Sequence, residues 1–409
     1  MYLTDYEEKM LDGEYGEWVS RAMKLIVKLG ELAGAERLTP IRRAHLSGIS
    51  YKTAGDAAIQ LLEDMANDNV RVKTFTTLNP AGIDLLSWKE MGVPEEFVVK
   101  QKRLVDAYVR LGAKPALTCA PYFFENVPER NEIVAFAESS AIIFVNSVIG
   151  ARTNRHGSLD ALAAAIVGRV ALTGLLLDEN RRANILVKVH NEAFRENDFG
   201  LLGLHIGGVL KPTDVPAFVF QKNPSINELR LLGAALAASG ALAMFHVIGV
   251  TPEAKNQSMA FGGETPEDVL IVDKRDIIAT REKYFGEINE PDAAFIGCPH
   301  ASLEEIRYIA SLLKGRKIKE DVKFWIFTSR RVLNALKQET AYQIIIKAGG
   351  RIFADTCMVV APIEFLGVKK ILTNSSKAAW YIPRFSGGEI FVDVRSLDEI
   401  INIITIKSG

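Results

Sequence analysis

The sequence contains little cysteine and none of the short motifs that identify the common nucleotide-binding and hydrolase sites. Only 3 of its 409 residues are cysteine, and no two of them form a C-x-x-C pair. An odd number of dispersed cysteines is unlike the disulfide framework of a secreted protein and fits a reducing cytoplasm. The absence of a Walker loop, a dinucleotide fingerprint and a G-x-S-x-G elbow argues against the enzyme classes that depend on them.

The chain also lacks an excess of charge of either sign. Its formal net charge is −1, with a pI near 6.6. A dedicated nucleic-acid-binding protein carries a basic, aromatic-interleaved surface, and no such stretch occurs here. The polar, acidic N-terminus is unlike a signal peptide. These features predict a cytoplasmic protein that binds neither nucleic acid nor membrane.

One uncharged segment, Leu231 to Val250, is long enough to cross a bilayer. It is rich in alanine and glycine, and it contains Ser239 and His246. We therefore interpret it as a buried helix that ends near Ser239, followed by a strand from Leu242 to Ile248.

The composition is that of an ordinary globular protein, with 48% apolar and 24% charged residues. A chain of this length is expected to form more than one lobe. Short apolar runs alternate with helical patterns, which predicts βαβ units, parallel sheets and an α/β fold. In the last part of the chain the predicted strands are Ala293–Ile296, Val322–Phe327, Gly350–Ala354, Lys370–Thr373 and Glu389–Val394. We expect three α/β lobes at residues 1–175, 176–290 and 291–409.

The stretch from Glu138 to Gly157 is predicted to lie at the centre of the protein. Ile142 to Val145 is a wholly apolar run with β-branched and aromatic members, which favours a strand buried on both faces. Small polar residues and two arginines follow, before Ser158 is placed to cap an alanine-rich helix. Another helix is predicted to begin near Ile83.

The three cysteines share one predicted position. Cys119, Cys298 and Cys357 each follow a predicted strand, the first being Pro115 to Thr118. Ligands bind at the carboxyl ends of strands in open α/β sheets, so the three thiols are expected to meet in one cleft. Three thiolates suit an iron–sulfur cluster with an open corner, or a zinc ion to which His300 also contributes. Spacing alone does not decide between these metals and three small buried side chains.

Other polar residues near the strand ends have two interpretations each. Asn374 to Lys377 opens a helix, and it is either an anion site or an ordinary N-cap. Lys52 and Arg152 either anchor a carboxylate or phosphate, or are solvated surface cations. The remaining histidines show no ligand spacing and are assigned no role; they are His45, His156, His190, His205 and His246.

Taken together, these residues resemble the aconitase X family, over nearly the whole chain. The resemblance implies an aconitase-like fold of three-layer α/β lobes, with parallel sheets around a cleft at the strand carboxyl ends. The segments that carry it are Glu7–Glu14, Ser47–Ser50, Leu78–Pro80, Glu138–Ser140, Asn146–Asn154, Gly297–His300, Asp355–Cys357 and Asn374–Lys377.

The resemblance implies a hydro-lyase with an iron–sulfur cluster, [4Fe-4S] or its [3Fe-4S] form, held by Cys119, Cys298 and Cys357. Other aconitases take two of their ligands from a C-x-x-C pair, which this chain lacks. The implied reaction is dehydration of (R)-5-phosphomevalonate to trans-anhydromevalonate 5-phosphate, in the mevalonate route to isoprenoids. The phosphate of such a substrate needs a cation or a helix N-terminus, and Lys377 is the residue we expect to hold it. Substrate contacts are implied at Gly48, Ile49, Ser50, Asn79, Pro80, Glu138, Ser139 and Lys377.

No general base is recognisable among these residues. In the family a small companion domain supplies a serine, so the resemblance implies a heterodimer with a small subunit of the aconitase swivelling-domain type. Two alternatives stay open. Relatives that dehydrate cis-3-hydroxy-L-proline usually carry the small domain fused, and an aconitase-like chain can also serve as a metal- or RNA-binding scaffold without catalysis.

Overall fold

The computed structural model describes residues 1–407 and contains three parallel β-sheets, of three, four and five strands. The N-terminal part holds the three-stranded sheet, in the order β3-β2-β4, and a separate antiparallel pair of β1 with β5. Its strands are β1 Leu38–Pro40, β2 Arg43–Leu46, β3 Phe75–Leu78, β4 Ala135–Phe136 and β5 Arg169–Ala171. Its helices are α1 Asp5–Asp12, α2 Glu17–Leu32, α3 Tyr51–Asn67, α4 Glu95–Arg110, α5 Ser139–Phe144 and α6 Ser158–Val167.

The middle part contains the four-stranded parallel sheet, in the order β8-β7-β6-β9. Helix α8 packs on α7, and also against α5 of the N-terminal part and α14 of the C-terminal part. It therefore joins all three sheets into one structure. The elements are β6 Ile185–Val189, β7 Pro216–Phe220, β8 His246–Val247 and β9 Asp268–Val272, with α7 Glu196–Gly207, α8 Ile226–Ser239, α9 Gln257–Ala260 and α10 Lys274–Tyr284.

The C-terminal part is built on the five-stranded parallel sheet, in the order β13-β12-β10-β14-β15, with an antiparallel pair of β11 and β16 beside it. Its strands are β10 Ala293–Ile296, β11 Arg316–Ile318, β12 Lys323–Thr328, β13 Arg351–Ala354, β14 Lys370–Thr373, β15 Phe391–Val394 and β16 Thr405–Lys407. Its helices are α11 Leu303–Leu312, α12 Arg330–Leu336, α13 Thr340–Lys347, α14 Ser376–Phe385 and α15 Leu397–Ile404. The predicted α/β class with parallel sheets is confirmed.

The predicted central strand is wrong. Ile142 to Val145 lies in α5 and in the π-helical turn that follows, Val145–Ile149. Glu138 caps this helix by accepting a hydrogen bond from the backbone N–H of Ala141 at 2.6 Å. The run is buried on every side, and such a run fits a buried helix as well as a buried strand. The cap therefore decides the local structure.

Two further local predictions fail for identifiable reasons. No helix begins at Ile83, because the Asp84 carboxylate accepts hydrogen bonds from the N–H groups of Leu86 and Ser87, at 2.9 Å each. This side-chain turn competes with helix formation. The predicted helix cap at Ser158 is also absent, because its hydroxyl donates to the Ser47 carbonyl at 2.6 Å.

The long uncharged segment folds largely as expected, with α8 ending at Ser239. The strand after it is shorter than expected, since only His246 and Val247 pair in the sheet. Among residues 1–407, no helix combines the length and apolar character needed to span a bilayer.

Candidate active site

The three cysteines meet in one cavity, as the sequence predicts. Cys119, Cys298 and Cys357 all line a cavity of about 360 Å³ between the N-terminal and C-terminal parts. Each is at most 5% exposed, and none forms a disulfide. Cys298 follows β10 and Cys357 follows β13, whereas the strand predicted before Cys119 is not formed. Three free thiols in one cavity are the donor set expected for an iron–sulfur cluster.

Two loops fix the first two thiols. Gly297 has φ +106°, and a Cβ there would lie 2.0 Å from the Phe327 carbonyl oxygen, so only glycine lets the chain turn into Cys298 at this place. The backbone N–H of His300 donates to the Cys119 Sγ at 3.2 Å. The two loops are therefore in direct contact.

A buried ion pair holds the Cys298 loop in place. Arg230 is 2% exposed and donates to the carbonyls of Pro299 and His300, both at 2.8 Å. It also pairs with Glu305 at 2.8 Å. Glu305 in turn accepts from the side-chain amide of Asn374 at 2.8 Å. This network ties the Cys298 loop to the residues that begin α14.

The Cys357 loop is fastened to the N-terminal part. Arg330 forms ion pairs with both Asp84 and Asp355. The backbone N–H of Ala81 donates to the Asp355 carbonyl at 2.8 Å. The turn that carries Asn79 and Pro80 is thereby positioned beside Cys357, across more than 270 residues of sequence.

His300 is not available as a metal ligand in this arrangement. Its Nδ1 lies 3.0 Å from the Thr118 hydroxyl, and its Nε2 lies 2.8 Å from the Thr356 carbonyl oxygen. Burial lowers its pKa to about 4, so the ring is neutral at pH 7. Among residues 1–407, no three Cys, His, Asp or Glu side chains are close enough to hold one metal ion. His300 therefore does not provide the fourth ligand that the zinc interpretation requires.

A buried ion pair lies beside the thiols. The Lys377 ammonium donates to the Glu138 carboxylate and, at 2.5 Å, to the Ser140 hydroxyl. Burial lowers the pKa of Lys377, but Glu138, together with Cys298, Tyr381 and Cys119, raises it above its ordinary value. Burial raises the pKa of Glu138, but Lys377 and the Ala141 N–H hold it below its ordinary value. Both groups are charged at pH 7.

Burial, which disfavours the thiolates, dominates the electrostatics of the cysteines. It raises the pKa of Cys119 and Cys357 above the ordinary value, and that of Cys298 to about 12. Cys357 raises the pKa of both Cys119 and Cys298 further, while Lys377 opposes the effect. Without a metal they are protonated at pH 7, so a cluster bound as thiolates would release protons on binding.

Not all of the eight predicted substrate residues line the cavity. Six of them line the cavity: Gly48, Asn79, Pro80, Glu138, Ser139 and Lys377. The Asn79 Oδ1 is buried without a hydrogen-bond partner, and the Asn79 side chain lies beside the His45 ring. Ile49 is 1% exposed in the N-terminal core, and the Ser50 hydroxyl donates to the Val360 carbonyl at 2.8 Å. Neither of these two side chains lines the cavity.

The cavity also contains residues that the sequence analysis did not select. They are Ser47, Thr53, Ala137, Ile142, Arg155, His156, Val359, Val360, Tyr381 and Phe385. Tyr381 and Phe385 follow Lys377 at intervals of four residues on α14, so helical periodicity places them on one face. This spacing in the sequence could have identified both residues as neighbours of Lys377.

The family models match nearly the whole length in three consecutive segments. Residues 1–179 match the aconitase X first domain, 183–282 the second and 291–405 the third. The chain belongs to the aconitase X family. The structure is similar to the crystal structure of Thermococcus kodakaraensis aconitase X in its holo-form, with a TM-score of 0.90 and 39% identity over 99% of this chain and 100% of the other.

Similar aconitase X proteins include two archaeal chains named phosphomevalonate dehydratase large subunit. The Methanothermobacter thermautotrophicus protein is 46% identical over 96% of both chains. The Methanocaldococcus jannaschii protein is 43% identical over 97% of this chain and 99% of its own. The cis-3-hydroxy-L-proline dehydratase of Pseudomonas aeruginosa is 34% identical over 95% of this chain but only 67% of its own. The predicted hydro-lyase class is confirmed.

Proposed function

We propose that the chain is the cluster-bearing large subunit of a hydro-lyase that converts (R)-5-phosphomevalonate to trans-anhydromevalonate 5-phosphate, in the mevalonate route to isoprenoids. Relatives of the same length and higher identity carry that name, and the relatives that act on hydroxyproline are longer and less similar. The observation that carries the proposal is the cavity in which three free thiols lie beside the buried Lys377–Glu138 pair.

Cys119, Cys298 and Cys357 would hold the iron–sulfur cluster, because they are the only cysteines in the chain and all line this cavity. When bound, such a cluster with an open iron position supplies a Lewis acid for a departing hydroxyl group.

The chain's own residues would bind and orient the substrate beside the three cysteines, in the part of the cavity that we call the reacting end. Lys377 already donates to Glu138 and Ser140, which leaves one of its three N–H donors for a ligand. One donor suits a carboxylate oxygen better than a phosphate, so we place the substrate carboxylate here rather than the phosphate first expected at Lys377. The Asn79 side chain, which lines the cavity, would accept a hydrogen bond from the substrate hydroxyl at its Oδ1.

A proton acceptor for the carbon adjacent to the carboxylate is missing from this end. Glu138 is engaged by Lys377 and by the Ala141 N–H, and the pair as a whole is neutral. Phe385, on the cavity wall, is 47% exposed, so the cavity is open to solvent on that side. A small subunit of the swivelling-domain type would supply the base and cover this opening, and excluding water strengthens the electrostatics within.

We also propose that the three lobes follow the boundaries predicted from the sequence, at residues 1–175, 176–290 and 291–409. In support, each segment contains one parallel sheet with its own helices.

The substrate assignment is tested with the anaerobically prepared complex of the chain and its small subunit. We expect turnover of (R)-5-phosphomevalonate and none of cis-3-hydroxy-L-proline, measured as substrate loss under identical conditions. Preferential turnover of the hydroxyproline would establish the other dehydratase activity. A complex that has its full iron content but dehydrates neither compound would support the scaffold alternative.

A further inference from the structure

Arg155 and His156 line an edge of the cavity to which the proposed function assigns no role. Both line the cavity, and neither hydrogen bonds to Glu138 or Lys377. The guanidinium of Arg155 donates to the Ala237 carbonyl at 3.1 Å, and its other N–H donors have no partner among residues 1–407. A forked cation with free donors is suited to an anion with several oxygens.

His156 is held in a fixed orientation with one nitrogen free. Its Nδ1 lies 3.0 Å from the Asp160 carboxylate, one helical turn further along. The side chain is only 9% exposed, yet its Nε2 has no hydrogen-bond partner. The Asp160 carboxylate on one ring nitrogen fixes the orientation of the ring and leaves the other nitrogen for a ligand. A buried nitrogen without a partner on a cavity wall is open to a hydrogen bond with a ligand.

The N-terminus of α6 lies at the same edge. This ten-residue helix begins at Ser158, and the preceding Gly157 provides no side-chain cap. Ser158 is instead bonded to the Ser47 carbonyl, and a Cβ on Gly48 would lie 2.5 Å from the Ser158 hydroxyl oxygen. The first turn of the helix is thereby packed against the Ser47–Gly48 turn of the cavity wall. Uncapped N–H groups of a first turn favour anions.

We propose that Arg155, His156 and the first turn of α6 form a phosphate subsite that makes the enzyme specific for a phosphorylated 3-hydroxy acid. The inference rests on the proposed function, because it concerns the second anionic group of that substrate. Asp160 contributes one opposing charge in this first turn, and its Oδ2 lies 3.0 Å from the His156 Nδ1. The carboxylate and the phosphate then lie at opposite ends of the cavity, with the hydroxyl group between them.

The test compares Arg155→Ala and His156→Ala in the holo complex, with (R)-5-phosphomevalonate and with (R)-mevalonate as the probe that lacks phosphate. We expect each substitution to raise KM for the phosphorylated substrate about ten- to a hundredfold, with a small change in kcat and no change for mevalonate. His156→Gln restores a neutral donor and should recover part of the loss. Arg110→Ala and His205→Asn remove similar groups elsewhere and should change nothing.

Equilibrium binding separates this inference from the proposed function. Calorimetry with (R)-5-phosphomevalonate and with inorganic phosphate measures the subsite without turnover. If the wild-type complex binds these compounds but does not dehydrate the substrate, the proposed function fails; the subsite still stands if the variants lose the binding. Equal losses for both substrates, or unchanged binding of the phosphorylated compound in both variants, would overturn the subsite.

Discussion

Replacing Cys357 with serine is expected to remove the iron–sulfur cluster and abolish dehydratase activity. Serine is nearly isosteric with cysteine but is a far poorer ligand for iron, and the described structure offers no neighbouring side chain as a substitute, because both His300 nitrogens are already bonded. Iron and acid-labile sulfide per chain, the visible absorbance and turnover in the complex measure the effect. Cys119→Ser and Cys298→Ser should behave in the same way.

The adjacent substitution Met358→Leu is the matched control. Met358 is fully buried beside Cys357, and a volume-conserving apolar exchange typically costs less than about 1.5 kcal/mol. This variant should keep its iron and its activity, which shows that the loop tolerates change next to the ligand. A Cys357→Ser protein with full iron, sulfide and turnover would remove that residue from the cluster site.

Replacing Lys377 with methionine should destabilise the protein as well as inactivate it. Lys377 and Glu138 are 7% and 5% exposed, so the substitution leaves a buried carboxylate without its cation. Removing one partner of a buried pair typically costs about 3–5 kcal/mol. Lys100→Met is the control, because the carboxylates that Lys100 pairs with are largely exposed and such pairs contribute little to stability. Chemical denaturation measures the loss of stability.

The double variant Lys377→Met, Glu138→Gln separates stability from activity. Neutralising both partners removes the uncompensated charge, so most of the stability should return. Activity should stay absent, because the cation that orients the substrate carboxylate is still missing. Recovery of turnover in the double variant would show that Lys377 serves only to neutralise Glu138.

The sequence predicts the C-terminal sheet well because its strands are short apolar runs bounded by turns. Ala293–Ile296 and Lys370–Thr373 form at the predicted residues. The same signal fails at Ile142 to Val145, where a run buried on all sides has no periodicity and the Glu138 cap selects a helix. The pattern of apolar residues does not predict the helix, because the helix depends on the Glu138 side chain, which lies outside the run.

The sequence predicts the cysteine ligands of the candidate site, but not the ion pairs that hold the surrounding loops in place. The position of Cys298 and Cys357 after strands is enough to bring them to one sheet edge. The Lys377–Glu138 pair joins residues 239 positions apart, and the Arg230–Glu305 pair joins residues on two helices. Such pairings follow from the packing of whole lobes, which no local pattern specifies. His156 and Asp160 are four residues apart, a helical spacing from which their contact could have been predicted.

Titrating the small subunit into the purified chain tests most directly whether this protein is one half of a two-subunit dehydratase. The chain is prepared without oxygen, and the loss of (R)-5-phosphomevalonate is followed as the partner is added. We predict negligible turnover before addition, a rise in proportion to the added partner, and a plateau at a one-to-one ratio. Full turnover by the chain alone would contradict both the missing base and the heterodimer.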